Sequence, residues 1–213
     1  MNLDAVGEVI LARLEAKNTE RERVLGLSRH IVQGAARAIR AVHRGEWEAA
    51  GALLAEAAAL VAQMQVAAGR HADLASAGYT LDAEKEFAEA HLTRALVRGE
   101  DLPSPEELGV DDAAWLNGLG EAAGELRRTA LDLIRRGEVG AAEQVLDRMQ
   151  DIYVFLTTVD FPGAITRDIK RTNDMVRGVT ERTRGDLTVA ARQEELQGAL
   201  DRFEASLHGG AAS

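Results

Sequence analysis

No cysteine occurs in this chain, which removes disulfide staples, thiolate metal sites and cysteine nucleophiles together. Proline is almost as scarce. Only Pro103, Pro105 and Pro162 are present, so helices can run long. Aromatic residues make up 4%, and Trp47, Trp115, Phe87, Tyr153, Phe155 and Phe161 are scattered, which suits core filling better than a base-stacking platform. The N-terminal MNLDAVGEVILARLEAKN is interrupted by acids and lacks the basic and then apolar stages of a secretory signal. The most apolar run, ALLAEAAALVAQMQVAA, is broken by Glu56 and dominated by alanine. Both features predict a cytoplasmic protein without a membrane span. A P-loop, a G-x-S-x-G elbow and a G-x-G-x-x-G turn are also missing, so nucleotide and serine-nucleophile chemistry have no support.

What is present is a helix-former's composition. Of 213 residues, 46% are hydrophobic, and Val, Ile and Thr seldom alternate with polar residues as a half-buried strand requires. The expected class is all-α: a single-domain antiparallel bundle over 1–207, with a flexible tail at 208–213. Seven helices are predicted, at 3–16, 19–44, 46–68, 72–98, 111–136, 138–159 and 163–206. His43-Arg44-Gly45-Glu46 and Arg135-Arg136-Gly137-Glu138 each set cations and a glycine at a helix end, the pattern of a tight helical hairpin. GEDLPSPEELGVDD, residues 99–112, is the one clear loop, and Ser104 or Asp111 can cap the helix that follows. A second stop falls at Asp160-Phe161-Pro162-Gly163.

Two carboxylate pairs stand out. In LDAEKEFAEA, Glu86 and Glu89 lie one turn apart beside the stripe of Leu81, Leu92 and Leu96, in line with Asp82 and Thr93. Carboxylates so placed repel each other unless a cation joins them. In GLGEAAGELRR, Glu121 and Glu125 sit four apart. Oxygen ligands from two packed helices suit Mg²⁺ or Mn²⁺, although in a chain with 35 acids such pairs are more often solvated faces. A di-iron bundle would need Glu-x-x-His motifs, and none exists: Leu27, Arg40, Ala68, Ala88 and Ala205 stand three before the five histidines. His91, the histidine nearest a pair, falls on another face and reads as a packing residue.

The net charge of −10 argues against a surface that grips duplex DNA by bulk electrostatics. Basic residues are nonetheless patterned. Arg29, Gln33, Arg37, Arg40 and Arg44 form one strip, opposite Leu27, Ile31, Ala35, Ala38 and Val42, and such a strip suits a phosphate track. An ordinary solvated face explains it as well. A weaker patch, Arg167, Lys170, Arg171, Arg177, Arg182 and Arg184, is diluted by Asp168, Asp174 and Glu181.

Read end to end, the chain resembles the translin and translin-associated factor X (trax) family, in its prokaryotic single-protein form. RERVLGLSRHIVQGAARAIRAVHRG is similar to the family's basic second helix, AWLNGLGEAAGELRR to its central segment, and DFPGAITRDIKRTNDMVRGVTERTRGDLT to its C-terminal helical region. Trax-like chains carry a Glu-aromatic-x-Glu pair followed by an acid-x-x-x-Glu pair. Glu86-Phe87-Ala88-Glu89 and Glu121-Ala122-Ala123-Gly124-Glu125 match them, with Glu121 where the family pattern has Asp. The family's basic cluster before the catalytic helix is missing, since RHADLASAGYTLDAE offers only Arg70 and His71.

The resemblance implies an Mg²⁺-dependent endoribonuclease acting on single-stranded RNA, such as precursor tRNA leaders or small RNA fragments. Glu86, Glu89, Glu121 and Glu125 would be both its metal ligands and its catalytic residues, activating water to leave a 5′ phosphate and a 3′ hydroxyl, with Mn²⁺ a substitute. Arg29, Arg37, Arg40 and Arg44 would carry the RNA. It also implies a closed homo-oligomeric shell, commonly an octamer, with acids and arginines lining an inner cavity. The other readings are a non-catalytic translin-like protein that binds single-stranded RNA or DNA, and a helical interaction scaffold.

Overall fold

The computed structural model describes residues 3–209, and among these every regular element is a helix. In chain order they are α1 (Leu3–His43), α2 (Trp47–Ala68), α3 (Ala72–Ala75), α4 (Gly78–Arg98), α5 (Pro105–Leu108), α6 (Asp112–Arg135), α7 (Val139–Thr157), α8 (Gly163–Thr166) and α9 (Ile169–Gly209). Nine described elements replace the seven expected, for three local reasons. The two helices predicted over 3–16 and 19–44 are one, because no glycine or proline interrupts Lys17-Asn18-Thr19 and the Thr19 hydroxyl bonds back to the Glu15 carbonyl. The stretch 72–98 is divided, since Ala77 is extended at ψ 143° and α4 starts afresh at Gly78. One-turn helices also form at Pro105–Leu108 and Gly163–Thr166. Of the expected tail, 208–209 continue α9, and residues 210–213 lie outside the described ones.

The hairpins close as their glycines predict. Gly45 and Gly137 take φ of 71° and 75°, a left-handed conformation that needs the absence of a Cβ. Around each, the same two backbone bonds recur: Gly45 N–H donates to the Val42 carbonyl and Glu46 N–H to that of Ala41, while Gly137 and Glu138 donate to Ile134 and Leu133. These bonds satisfy carbonyls the helix end would leave bare. At the long loop Asp111 is the cap of the expected helix, and Ser104 caps the one-turn α5 instead. Ser104 and Glu107 make a reciprocal capping box, and the Asp111 carboxylate accepts from the Ala113 and Ala114 amides.

Two helices occupy the middle: α4 packs on α1, α2 and α6, and α6 packs on α4, α7 and α9. Phe87, Leu92, Leu119, Leu126, Met64, Met149 and Leu156 fill the seam between them and their neighbours. By length and hydropathy α2 could cross a membrane, more than its interrupted run suggests. Core helices pass the same test, and Ala50, Leu54, Ala57, Val61 and Met64 are buried as α2 packs on α1 and α4. Both long helices overrun the bundle. At 1.5 Å per residue α1 spans roughly 60 Å, and Leu3, Val6, Ile10 and Leu14 at its start are exposed. The end of α9 does likewise with Leu196, Leu200, Phe203 and Leu207.

Candidate metal centre and adjoining cleft

The candidate centre exists because α4 and α6 come unusually close. At their crossing stands Gly118, where a Cβ would lie 2.9 Å from the Lys85 carbonyl oxygen and 3.0 Å from the Glu89 nitrogen. Only glycine allows this approach. It brings the α4 acids to the next turn of α6, where Glu86, Glu89 and Glu121 each place a carboxylate oxygen within 4.8 Å of the others. Glu89 is 7% exposed, and the other two are half-buried.

Burial pushes the Glu89 carboxyl up to about 9, with the charges of Glu121 and Glu86 and a hydrogen bond to Glu121 adding to the effect and Glu125 contributing last. Its proton is the cheapest relief the cluster has at neutral pH. Lys85 supplies the second relief: its Nζ donates to Glu121 Oε1 at 2.6 Å and lies 3.3 Å from Glu86. Burial alone would depress that ammonium, but the Glu121 hydrogen bond and the charges of Glu121 and Glu86 outweigh it and hold the pKa above its ordinary value.

Glu125 is not in the three-carboxylate cluster. Its Oε2 is 2.5 Å from Nε2 of His43, a side chain only 2% exposed at the end of α1. That hydrogen bond holds the Glu125 carboxyl below its usual range, against the opposing effect of burial and aided by the charges of His43 and Arg128. His91 packs edge-on against Phe87 with centroids 4.6 Å apart, in line with its reading as a packing residue.

Arg29, Arg37, Arg40 and Arg44 are exposed on the side of α1 opposite Ile31, Ala35, Ala38 and Val42. Arg44 pairs with Glu46 at 2.6 Å, whereas among the described residues Arg29, Arg37 and Arg40 join no ion pair. The weaker basic patch divides. Arg177 and Arg184 turn to Asp174 and Gln150, but Arg167 and Arg171 line a cleft of about 430 Å³ beside the carboxylates, sharing its wall with Lys85 and Glu121.

Lys85 and His43 are the residues that sequence reasoning missed. Lys85 left one signal, being among only three lysines against 22 arginines and standing next to Glu86. His43 left none, since its partner is 82 residues away.

Fold and site together define an all-helical bundle with a hard-oxygen centre where two central helices cross. In that architecture the chain is similar to solved C3PO structures. It superposes on AfC3PO in a complex with duplex RNA with a TM-score of 0.77, at 29% identity over 91% of this chain and 98% of that one. For a second AfC3PO crystal structure the values are 0.75, 28%, 91% and 98%. Apo-NeC3PO, at 20% identity, shares the fold with a TM-score of 0.78 over 89% of this chain and 97% of its own. An uncharacterised protein of Methanocaldococcus jannaschii is 27% identical over 196 residues, covering 91% of this chain and 86% of that protein. No family model matches the chain.

Proposed function

We propose that this protein is a cytoplasmic Mg²⁺-dependent endoribonuclease acting on single-stranded RNA, such as precursor tRNA leaders or small RNA fragments. The observation that carries the reading is the trio Glu86, Glu89 and Glu121, three carboxylates gathered from two helices within 4.8 Å, one of them buried. An arrangement that repels itself is kept where a ligand offsets the repulsion, and three hard oxygens match Mg²⁺ or Mn²⁺. The likeness to AfC3PO, whose complex holds duplex RNA, supports RNA as the ligand class.

In this reading Glu86, Glu89 and Glu121 would hold the ion, and Glu125, kept by His43 one turn further along α6, adds negative charge near Glu89. The bound ion would polarise a phosphodiester and acidify water. With an ion held there, Glu89 would give up its proton, and Lys85, freed from Glu121, would be placed to meet a phosphate oxygen. Arg29, Arg37 and Arg40 offer guanidinium donors for the RNA backbone, with Arg44 behind its Glu46 pair.

Assembly belongs to the proposal. The exposed apolar residues Leu196, Leu200, Phe203 and Leu207 follow four-three-four spacing, a seam that packs against another helix. A second copy of this chain covers it in a closed shell, of eight copies by the resemblance to the family. Light scattering should give a stable oligomer that Leu200→Asp with Phe203→Asp dissociates; a wild-type monomer would remove the shell.

A non-catalytic RNA or DNA binder has one observation in its favour: the Lys85 ammonium neutralises part of the cluster. Incubation of labelled single-stranded RNA, duplex RNA and single-stranded DNA with Mg²⁺, Mn²⁺ or EDTA separates the two. Metal-dependent cutting selects the nuclease, and retardation without cutting selects the binder.

A further inference from the structure

A cleft lies beside the carboxylates, bordered by Lys85 and Glu121. Its floor is set by Asn117, a residue 6% exposed on α6, whose side-chain amide donates to the Thr166 carbonyl at 2.9 Å and whose oxygen accepts from the Thr172 hydroxyl at 2.5 Å. These bonds clamp the α8–α9 junction onto α6. There Arg167 and Asp168 take φ of 54° and 65°, the only left-handed non-glycine residues among those described. Two successive residues stay in that conformation only where their surroundings fix them. The result is that Arg167, in the junction, and Arg171, in the first turn of α9, line the cleft together with Lys85 and Glu121.

Charge in the cleft is mixed. Lys85 and Glu121 satisfy each other, and Asp82 on α4 and Asp168 beside Arg167 also line it. Among the described residues neither Arg167 nor Arg171 is in an ion pair or a side-chain hydrogen bond, although Arg167 lies close enough to Glu84 to favour its charged form. Such a cleft does not attract polyanions by bulk potential. Two unpaired guanidiniums lining one cleft can hold a single phosphate, through planar paired donors that an ammonium lacks.

From this geometry we infer that the cleft binds one internal phosphodiester of the RNA strand, the one next to the phosphate lying at Glu86, Glu89 and Glu121. This rests on the proposed function for the identity of the strand but not for its cleavage. Glu121 and Lys85 border both the carboxylate cluster and the cleft, so a strand crossing the first enters the second. The arginines thereby set the register of the strand, without reading bases.

The test is RNA binding in EDTA, where no cutting can intervene. Arg171→Gln, an exposed change in the first turn of α9, should weaken binding of a labelled single-stranded oligonucleotide about tenfold, the equivalent of one charge-assisted hydrogen bond. It should also lower the slope of log affinity against log salt by about 0.7, one phosphate contact on a single strand. Arg167→Gln should do the same, Arg171→Lys should keep the slope while losing part of the affinity, and Arg192→Gln, on the far part of α9, should change neither. Equal losses on 5′-phosphorylated and 5′-hydroxyl RNA are expected; a loss confined to the phosphorylated strand would assign the cleft to a terminal phosphate and overturn the inference. An unchanged slope in Arg171→Gln, an equal slope loss in Arg171→Lys, or a wild-type protein that does not bind RNA would each overturn it too. Binding that behaves as expected in a protein that never cuts RNA leaves the cleft standing and removes the nuclease.

Discussion

Loading a divalent cation onto this protein should release close to one proton at neutral pH. Glu89 carries the reason: its carboxyl is pushed from 4.5 to about 9 by burial first, then by the charges of Glu121 and Glu86. At pH 7 that carboxyl is protonated in roughly 99 of 100 metal-free molecules, so an ion that takes its oxygens displaces the proton. Each unit of pH then makes the displacement easier by about 1.4 kcal/mol, and the Kd for Mn²⁺ should fall about tenfold per unit between pH 6 and 8. The same proton governs stability. Because the folded pKa lies above the unfolded one, its contribution is complete below about 4.5 and is lost as pH rises through about 9. Across pH 6 to 8 the metal-free protein should lose up to ~3 kcal/mol, and Mn²⁺ should restore it. Titration calorimetry of Mn²⁺ in two buffers of different ionisation enthalpy measures the proton directly, with Glu89→Gln as the variant in which the pH dependence disappears. A Kd independent of pH with no proton released would refute the reasoning, since Glu89 would then be ionised in the metal-free fold or apart from the ion.

Three further outcomes follow from the same contacts. Gly118→Ala places a Cβ 2.9 Å from the Lys85 carbonyl oxygen, so α4 and α6 must separate; thermal unfolding should show a loss of about 1–3 kcal/mol, and Mn²⁺ binding should weaken with it. His43→Ala leaves Glu125 without its partner at an estimated ~1–3 kcal/mol. In the wild type this stabilisation is present above pH 4.5 and is lost as pH falls through the depressed folded value, so acid titration of stability should be shallower in the variant. Glu89→Ala should abolish RNA cleavage while retaining RNA binding in a filter or mobility-shift assay; loss of binding instead would mark Glu89 as structural.

Much of the fold was legible because its signals are local. The glycines at 45 and 137, the caps at Ser104 and Asp111, and the stop at Pro162 act through neighbours a few residues away, so helix order and hairpins follow from them. Boundaries were less legible where no breaker stands: Lys17-Asn18-Thr19 lacks one, so one helix runs through. At the site, the spacing of Glu86 with Glu89 put both on one face of α4. It could not say that Glu121 would join them while Glu125 turned to His43, because that choice depends on how two separate helices rotate against each other.

By itself, then, the sequence determined an all-helical chain, its hairpins, and two acidic pairs at helical spacing, since backbone preference and periodicity act over a few residues. The tertiary structure alone decided which acids meet, which cation answers them and where a cleft opens beside them. Those outcomes depend on the closeness that Gly118 permits and on the clamp that Asn117 provides, and distances across a helix crossing are not written in the spacing along either helix.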